Sequence, residues 1–171
     1  MDKATLLFEK LAAYDTSLLD YWDYGKNLIR HKKDVYQTGR QLNIPRWPLI
    51  THDIDKFYPA RFKPYAEWFF GPQGYYGSAN PQLKEKWLVA VKKHKKAPHH
   101  QEIKSFDTEL ESVADWYAAS KREVPFGTEF PDFRTWVAAR LNSFDISDMA
   151  KSYIKTKLTA LKENPFPLGE G

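Results

Sequence analysis

The chain has 171 residues, 42% of them hydrophobic and 28% charged, with a net charge of +4. These values suit one soluble domain with a core large enough to fold alone. There is no cysteine, which excludes disulfides, thiolate metal sites and cysteine nucleophiles, and no run of ~18 apolar residues that would cross a membrane. The start, MDKATLLFEKLAAYD, lacks the layout of a secretory signal, so the expected address is cytoplasmic.

The expected elements are helices, taken in chain order. Residues 5–14 read as a short amphipathic helix. Thr16 or Ser17 caps a longer one reaching about Leu42, with Leu18, Leu28, Val35 and Leu42 facing inward. Asn43 to Pro48 is a break, because two prolines disfavour a helix interior. A short helix is expected over Leu49 to Phe57 and another over Ala60 to Phe70, ended by Gly71-Pro72. Gln73 to Pro81 is an aromatic loop. Pro81 then opens a helix to about Lys96, whose apolar face is Leu83, Trp87 and Val91 and continues to His94. Pro98-His99-His100 breaks it. Phe106 to Arg122 is helical, Val124 to Pro131 is a loop, helices follow near 132–142 and 147–163, and 164–171 is a loose tail. The expected architecture is all-α, a bundle of about seven helices in one domain.

The chemistry concentrates in the first two-thirds of the chain. All five histidines, His31, His52, His94, His99 and His100, precede position 101. His31 continues the stripe of Leu28 and Val35, and His94 that of Trp87 and Val91, so both imidazoles sit at the ends of apolar faces while their lysine neighbours point elsewhere. In PLITHDIDKF, Pro48 to Phe57, a greasy lead runs into His52-Asp53, and Lys56 comes one turn later. Charge placed there is costly unless something compensates it. Two adjacent helical ligands still grip one ion if it lies between their directions. Asp115 and Glu111 share a small, polar helical face with Thr108, Ser112, Ala118 and Ala119 that suits close approach to another helix. Each residue alone has an ordinary explanation: a hydrogen-bonded histidine, a solvated or ion-paired lysine, an exposed acidic face, a surface His99-His100 pair. Together they form a set of imidazoles and carboxylates spread from position 31 to position 115 over several helices. Such a donor set without thiolates suits Mn, Fe, Co, Ni, Zn or Mg, and ligands drawn from several helices are how a centre is built inside a bundle.

The order His31, His52-Asp53, Asp115 resembles the H…HD…D signature of the HD-domain metal-dependent phosphohydrolases, an all-helical family. HDIDK, then His94, His99-His100 and Asp115, resembles the longer pattern of members that hold two metals, such as the HD-GYP phosphodiesterases, although the GYP motif is missing. The combination is closest to small HD-like proteins of phages and bacteria; for a phage-encoded chain the address would be the host cytoplasm. The resemblance covers about residues 25–122 and leaves the C-terminal helices and tail outside it. It implies that His31, His52, Asp53 and Asp115 bind a first divalent ion, and that His94 with His99 or His100 binds a second, so that one or two ions are expected. It further implies a small phosphate substrate, a nucleotide above all, and allows a homo-oligomer. Related nucleotidases often carry a glutamate where Lys56 stands, which leaves Glu111 or a bridging hydroxide to act on the attacking water. Asp53, Lys56 and Glu111 are the catalytic candidates, with Lys56 neutralising charge on the phosphoryl group, and Trp22, Tyr24, Tyr75 and Tyr76 are candidates to stack on a base. Two other readings use the same residues: a di-iron oxygenase of the HD fold, and a binding protein with a degenerate site. The basic cluster KKHKK, Lys92 to Lys96, is too short to argue for nucleic acid by itself.

Overall fold

The computed structural model describes residues 16–75, 77, 79–97, 100–102, 105–121 and 132–163. The expected helix over 5–14, the loop over 124–131 and the tail lie outside them. Seven α-helices are present among the described residues: α1 (Leu18–Gln41), α2 (Arg46–Thr51), α3 (Pro59–Phe69), α4 (Pro81–His94), α5 (Phe106–Ser120), α6 (Phe133–Arg140) and α7 (Asp148–Glu163). Short 3-10 turns cover Ile54–Phe57 and Leu141–Ser143, and no strand occurs among the described residues. The all-α expectation holds. No described helix is long and apolar enough to cross a membrane.

Local chemistry explains most of the boundaries. Ser17 accepts the Asp20 amide at 3.2 Å, while the Asp20 carboxylate takes the Ser17 amide at 2.7 Å, a reciprocal cap that starts α1. Asn80, Ser105 and Asp132 cap α4, α5 and α6 in the same manner, each accepting a first-turn amide. Ser147 opens α7, held by both carboxylate oxygens of Glu109 on α5 at 2.8 and 2.6 Å.

Two expectations need correction here. Pro45 and Pro48 do not keep the chain out of a helix: Pro45 is the residue before α2 and Pro48 lies in its first turn, where no amide hydrogen bond is lost. The helix expected from Leu49 to Phe57 is instead cut in two. His52 leaves helical geometry, and Asp53 takes a left-handed backbone with φ of 55°. Aspartate tolerates that region better than most residues.

The chain forms two compact units. Unit one comprises residues up to Arg30 and Asp53–Ala97; unit two comprises His31–His52 and residues from Pro98 onward. The core of unit one is aromatic: Tyr24, Leu28, Tyr65, Ala66 and Ala90 are buried, with Phe62, Phe69, Phe70 and Trp87 packed against them. Leu18, expected to face inward, is 86% exposed. It is the first residue of α1, and the packed face of that helix begins only at Tyr21 and Tyr24. The core of unit two gathers Val35, Leu42, Ile44 and Leu49 with Leu110, Val113, Trp136, Val137 and Ile154. Gly39 permits the close packing of α1 on α2, since a Cβ there would lie 2.3 Å from a methyl of the buried Leu49.

Candidate metal centre

In unit two, the apolar stripe of α1 carries His31 inward, between Leu28 and Val35, and buries it. His52 is the residue at which α2 ends, and its own amide still donates to Pro48 at 2.8 Å. Lys32 of α1 donates its ammonium to the carbonyls of Ile50, at 2.9 Å, and of His52. That contact pins the end of α2 beside α1. Helix α5 presents its small, polar face inward, so Glu111 and Ser112 are buried and Asp115 is nearly so.

These placements bring three expected ligands together. His31 Nε2 is 3.0 Å from Asp115 Oδ1, and His52 Nε2 is 3.4 Å from the same oxygen. The two imidazoles lie with centroids 5.6 Å apart. Glu111 Oε1 is 2.9 Å from His52 Nδ1, which makes Nε2 the face turned to Asp115. Burial opposes ionisation of Asp115, but the hydrogen bonds and charge of His31 and His52 outweigh it and hold the carboxyl well below the usual carboxylate range.

The three donor atoms all lie within 4.8 Å of one another. Ligand bonds of ~2.1 Å at tetrahedral or octahedral angles place neighbouring donors roughly 3.0–3.4 Å apart, and the two Asp115 contacts fall at those separations. With a carboxylate behind one imidazole as well, the residues fit a divalent cation. This group of buried histidine and aspartate side chains could hold a metal ion.

Unit one assembles a second polar cluster. Asp53 Oδ1 meets His94 Nε2 at 3.1 Å, and Asp53 Oδ2 takes the Lys56 ammonium at 2.7 Å. The other ring nitrogen of His94, Nδ1, lies 3.1 Å from both oxygens of Asp55, and Arg61 Nε forms an ion pair with Asp55 Oδ2 at 3.0 Å. Burial works against a charged His94, but hydrogen bonds to Asp53 and Asp55 reverse this and raise its pKa above the ordinary value. Burial likewise opposes ionisation of Asp55, and the hydrogen bond and charge of His94 together with Arg61 bring its pKa below normal. Sequence reasoning missed Asp55 and Arg61. Asp55 had a visible signal, a second acid two residues after Asp53 in HDIDK. Arg61 had none, because its role depends on where α3 begins.

His99 and Tyr76 lie outside the described residues, and His100 is half-buried in unit two. Trp22 and Tyr75 are exposed. Tyr24 is not available to stack on a base, because it is buried in the aromatic core against Phe62 at 4.8 Å.

Tyr24 and Tyr65 carry a testable consequence. Burial, followed by neighbouring acidic groups, raises the pKa of both phenols above the ordinary value of 10.0. The Tyr24 hydroxyl also has no hydrogen-bond partner among the described residues. A group with a raised folded pKa contributes stability that is complete below the unfolded pKa and is lost as pH rises toward the folded one. Stability should therefore hold up to about pH 10 and fall above it. Tyr24→Phe should stabilise the protein by about 1 kcal/mol at pH 8, because it removes a buried unsatisfied hydroxyl, and should flatten the alkaline decline. Thermal melts across this range check both; an unchanged alkaline decline in the variant would show that Tyr24 contributes nothing to it.

A family model described as "Family of unknown function (DUF5662)" matches residues 20–164. No curated protein and no solved structure matches the chain.

Proposed function

This chain belongs to the DUF5662 family, and we propose that it is a metal-dependent phosphohydrolase acting on a nucleotide or related phosphate ester. The observation that carries this reading is the buried trio His31, His52 and Asp115, with Glu111 behind His52. A divalent ion bound there would supply Lewis acidity and lower the pKa of a water to near neutrality. The protein's own residues do the rest. His31 and His52 would present ring nitrogens to the ion, and Asp115 a carboxylate oxygen. Glu111 accepts from His52 Nδ1, which fixes the tautomer and orientation of that ring. Lys56, its ammonium positioned by Asp53, is the residue that the HD-domain resemblance directs toward phosphate oxygens. The net charge of +4 favours collection of anionic substrates.

The test is a panel. The purified chain is analysed for metals by mass spectrometry and assayed for phosphate release from mono-, tri- and cyclic nucleotides with Mn, Co, Ni and Mg. Release with at least one metal, reduced on the order of 100-fold or more in His52→Ala, is the expected result. Absence of release with every metal, or full turnover in both His52→Ala and Asp115→Ala, would overturn the assignment. Bound iron with oxygen consumption would replace hydrolysis by oxygenation.

A further inference from the structure

We propose, independently of the metal-centre reading, that the outer side of α4 is a docking surface for an anionic membrane, on which the protein rests without crossing it.

Charge in this chain is concentrated in one place. Residues 81–96 hold six lysines and one glutamate, a net +5 against +4 for all 171 residues, so the rest of the chain is net −1. Lys84, Lys86, Lys92, Lys93, Lys95 and Lys96 are all exposed. The other side of α4 packs inward: Ala90, Trp87 and Val91 belong to the core of unit one, and His94 is buried. Helical periodicity therefore sends every one of these cations to the outer side.

Helix stability does not account for the arrangement. The macrodipole favours Lys92 and Lys93 in the last turn, but Lys84 lies in a first turn that has no acidic residue, where the dipole opposes a cation. Among the described residues, no carboxylate pairs with Lys84, Lys86, Lys92, Lys93 or Lys96. Lys92 and Lys96 stand one turn apart and repel each other. A surface that costs the isolated fold in this way is stabilised by an external array of negative charge.

The uncharged residues select the partner. Leu88 and Val89 lie in the middle of the lysines, 48% and 51% exposed, and Lys84 and Lys92 flank Leu88 one turn away on either side. Along a nucleic acid, two aliphatic side chains in this position meet only phosphate and sugar. At an anionic bilayer the lysines meet lipid phosphates and carboxylates while the aliphatic pair enters the acyl boundary. The helix also lacks what reads nucleic acid best. It has no arginine fork, and Trp87, its one aromatic residue, is stacked on Trp68 at 5.4 Å.

The intact chain is sedimented with vesicles of phosphatidylcholine alone, or with about one-third phosphatidylserine, at low and high salt. Binding is expected only to the anionic vesicles and only at low salt. Lys84→Gln/Lys92→Gln should weaken it on the order of 10-fold or more, and Leu88→Ser/Val89→Ser by a similar factor, whereas Lys33→Gln/Lys155→Gln, which removes two exposed lysines elsewhere, should change it less than about 3-fold. Circular dichroism checks that each variant is folded; all the changed side chains except the lysine controls lie on the exposed side of one helix, and the two double variants serve as independent tests. Absence of binding to anionic vesicles, equal binding to both vesicle types, or unchanged binding in a folded Lys84→Gln/Lys92→Gln overturns the proposal. So does a fluorescently labelled oligonucleotide, single-stranded or duplex, that binds the chain at the same salt with a loss in Lys84→Gln/Lys92→Gln but none in Leu88→Ser/Val89→Ser, since that result assigns the face to nucleic acid.

Discussion

Asp115→Asn is expected to weaken divalent-ion binding on the order of 100-fold or more and to reduce any phosphate release at least as much. Asparagine matches the shape of aspartate and keeps a carbonyl-type oxygen. What it removes is the negative charge that two imidazoles approach at 3.0 and 3.4 Å. Without that charge the trio is two neutral nitrogens and an amide, a poor match for a hard or borderline cation. Replacing Glu111 with glutamine should cost less, roughly 10- to 100-fold, because it touches only the ring behind the ligand face. Calorimetric titration with Mn2+ orders the two variants; equal affinity in wild type and Asp115→Asn would remove Asp115 from the metal site. The metal-free protein offers an independent readout. Because the Asp115 pKa is lowered from 3.8, its contribution to stability is present above that pH and is lost as pH falls through the folded value. Asp115→Asn should lack that component of acid sensitivity.

Trp136→Ala should cost about 3–5 kcal/mol, the range for removing a large buried aromatic side chain. Trp136 is 4% exposed and sits in α6 between Tyr117 and Phe144, with ring centroids 5.4 Å away on each side. Phe144 in turn meets Trp116 at 5.2 Å, and Tyr117 meets Phe133 at 5.1 Å. The ring cluster therefore ties α5, α6 and the following 3-10 turn together, and the space vacated is bounded by stiff rings that collapse poorly into it. Since domains of this size retain only ~5–15 kcal/mol of net stability, the variant should unfold at markedly lower urea concentration. A loss below about 1 kcal/mol would mean that the cluster is loosely packed. Because Tyr117 lies on α5 two residues after Asp115, metal affinity should also fall in this variant, by less than in Asp115→Asn.

Much of this was readable along the chain because it is encoded locally. Leu28, Val35 and Leu42 recur on one helical face and are buried, and His31 could be assigned inward by its place among them. The Ser17 cap follows from a side chain that accepts a nearby amide. The small face of α5 announced the burial of Glu111, since short side chains are what close helix packing requires. Local rules failed where a residue's conformation answers to distant partners. Nothing near Asp53 in the sequence specifies a left-handed backbone, and assuming a continuous helix there misplaced the corner from which His52 and Asp53 emerge.

By itself, then, the amino-acid order determined an all-helical chain with imidazoles and acids directed inward from α1, α4 and α5, because periodicity and capping act over a few residues. Only tertiary structure decided how those groups are shared out. It set His31 and His52 on one oxygen of Asp115, and it gave Asp53 to His94 and Lys56. Such allocation is a matter of distances of about 3 Å between groups dozens of residues apart, and of which buried charge finds compensation within the chain.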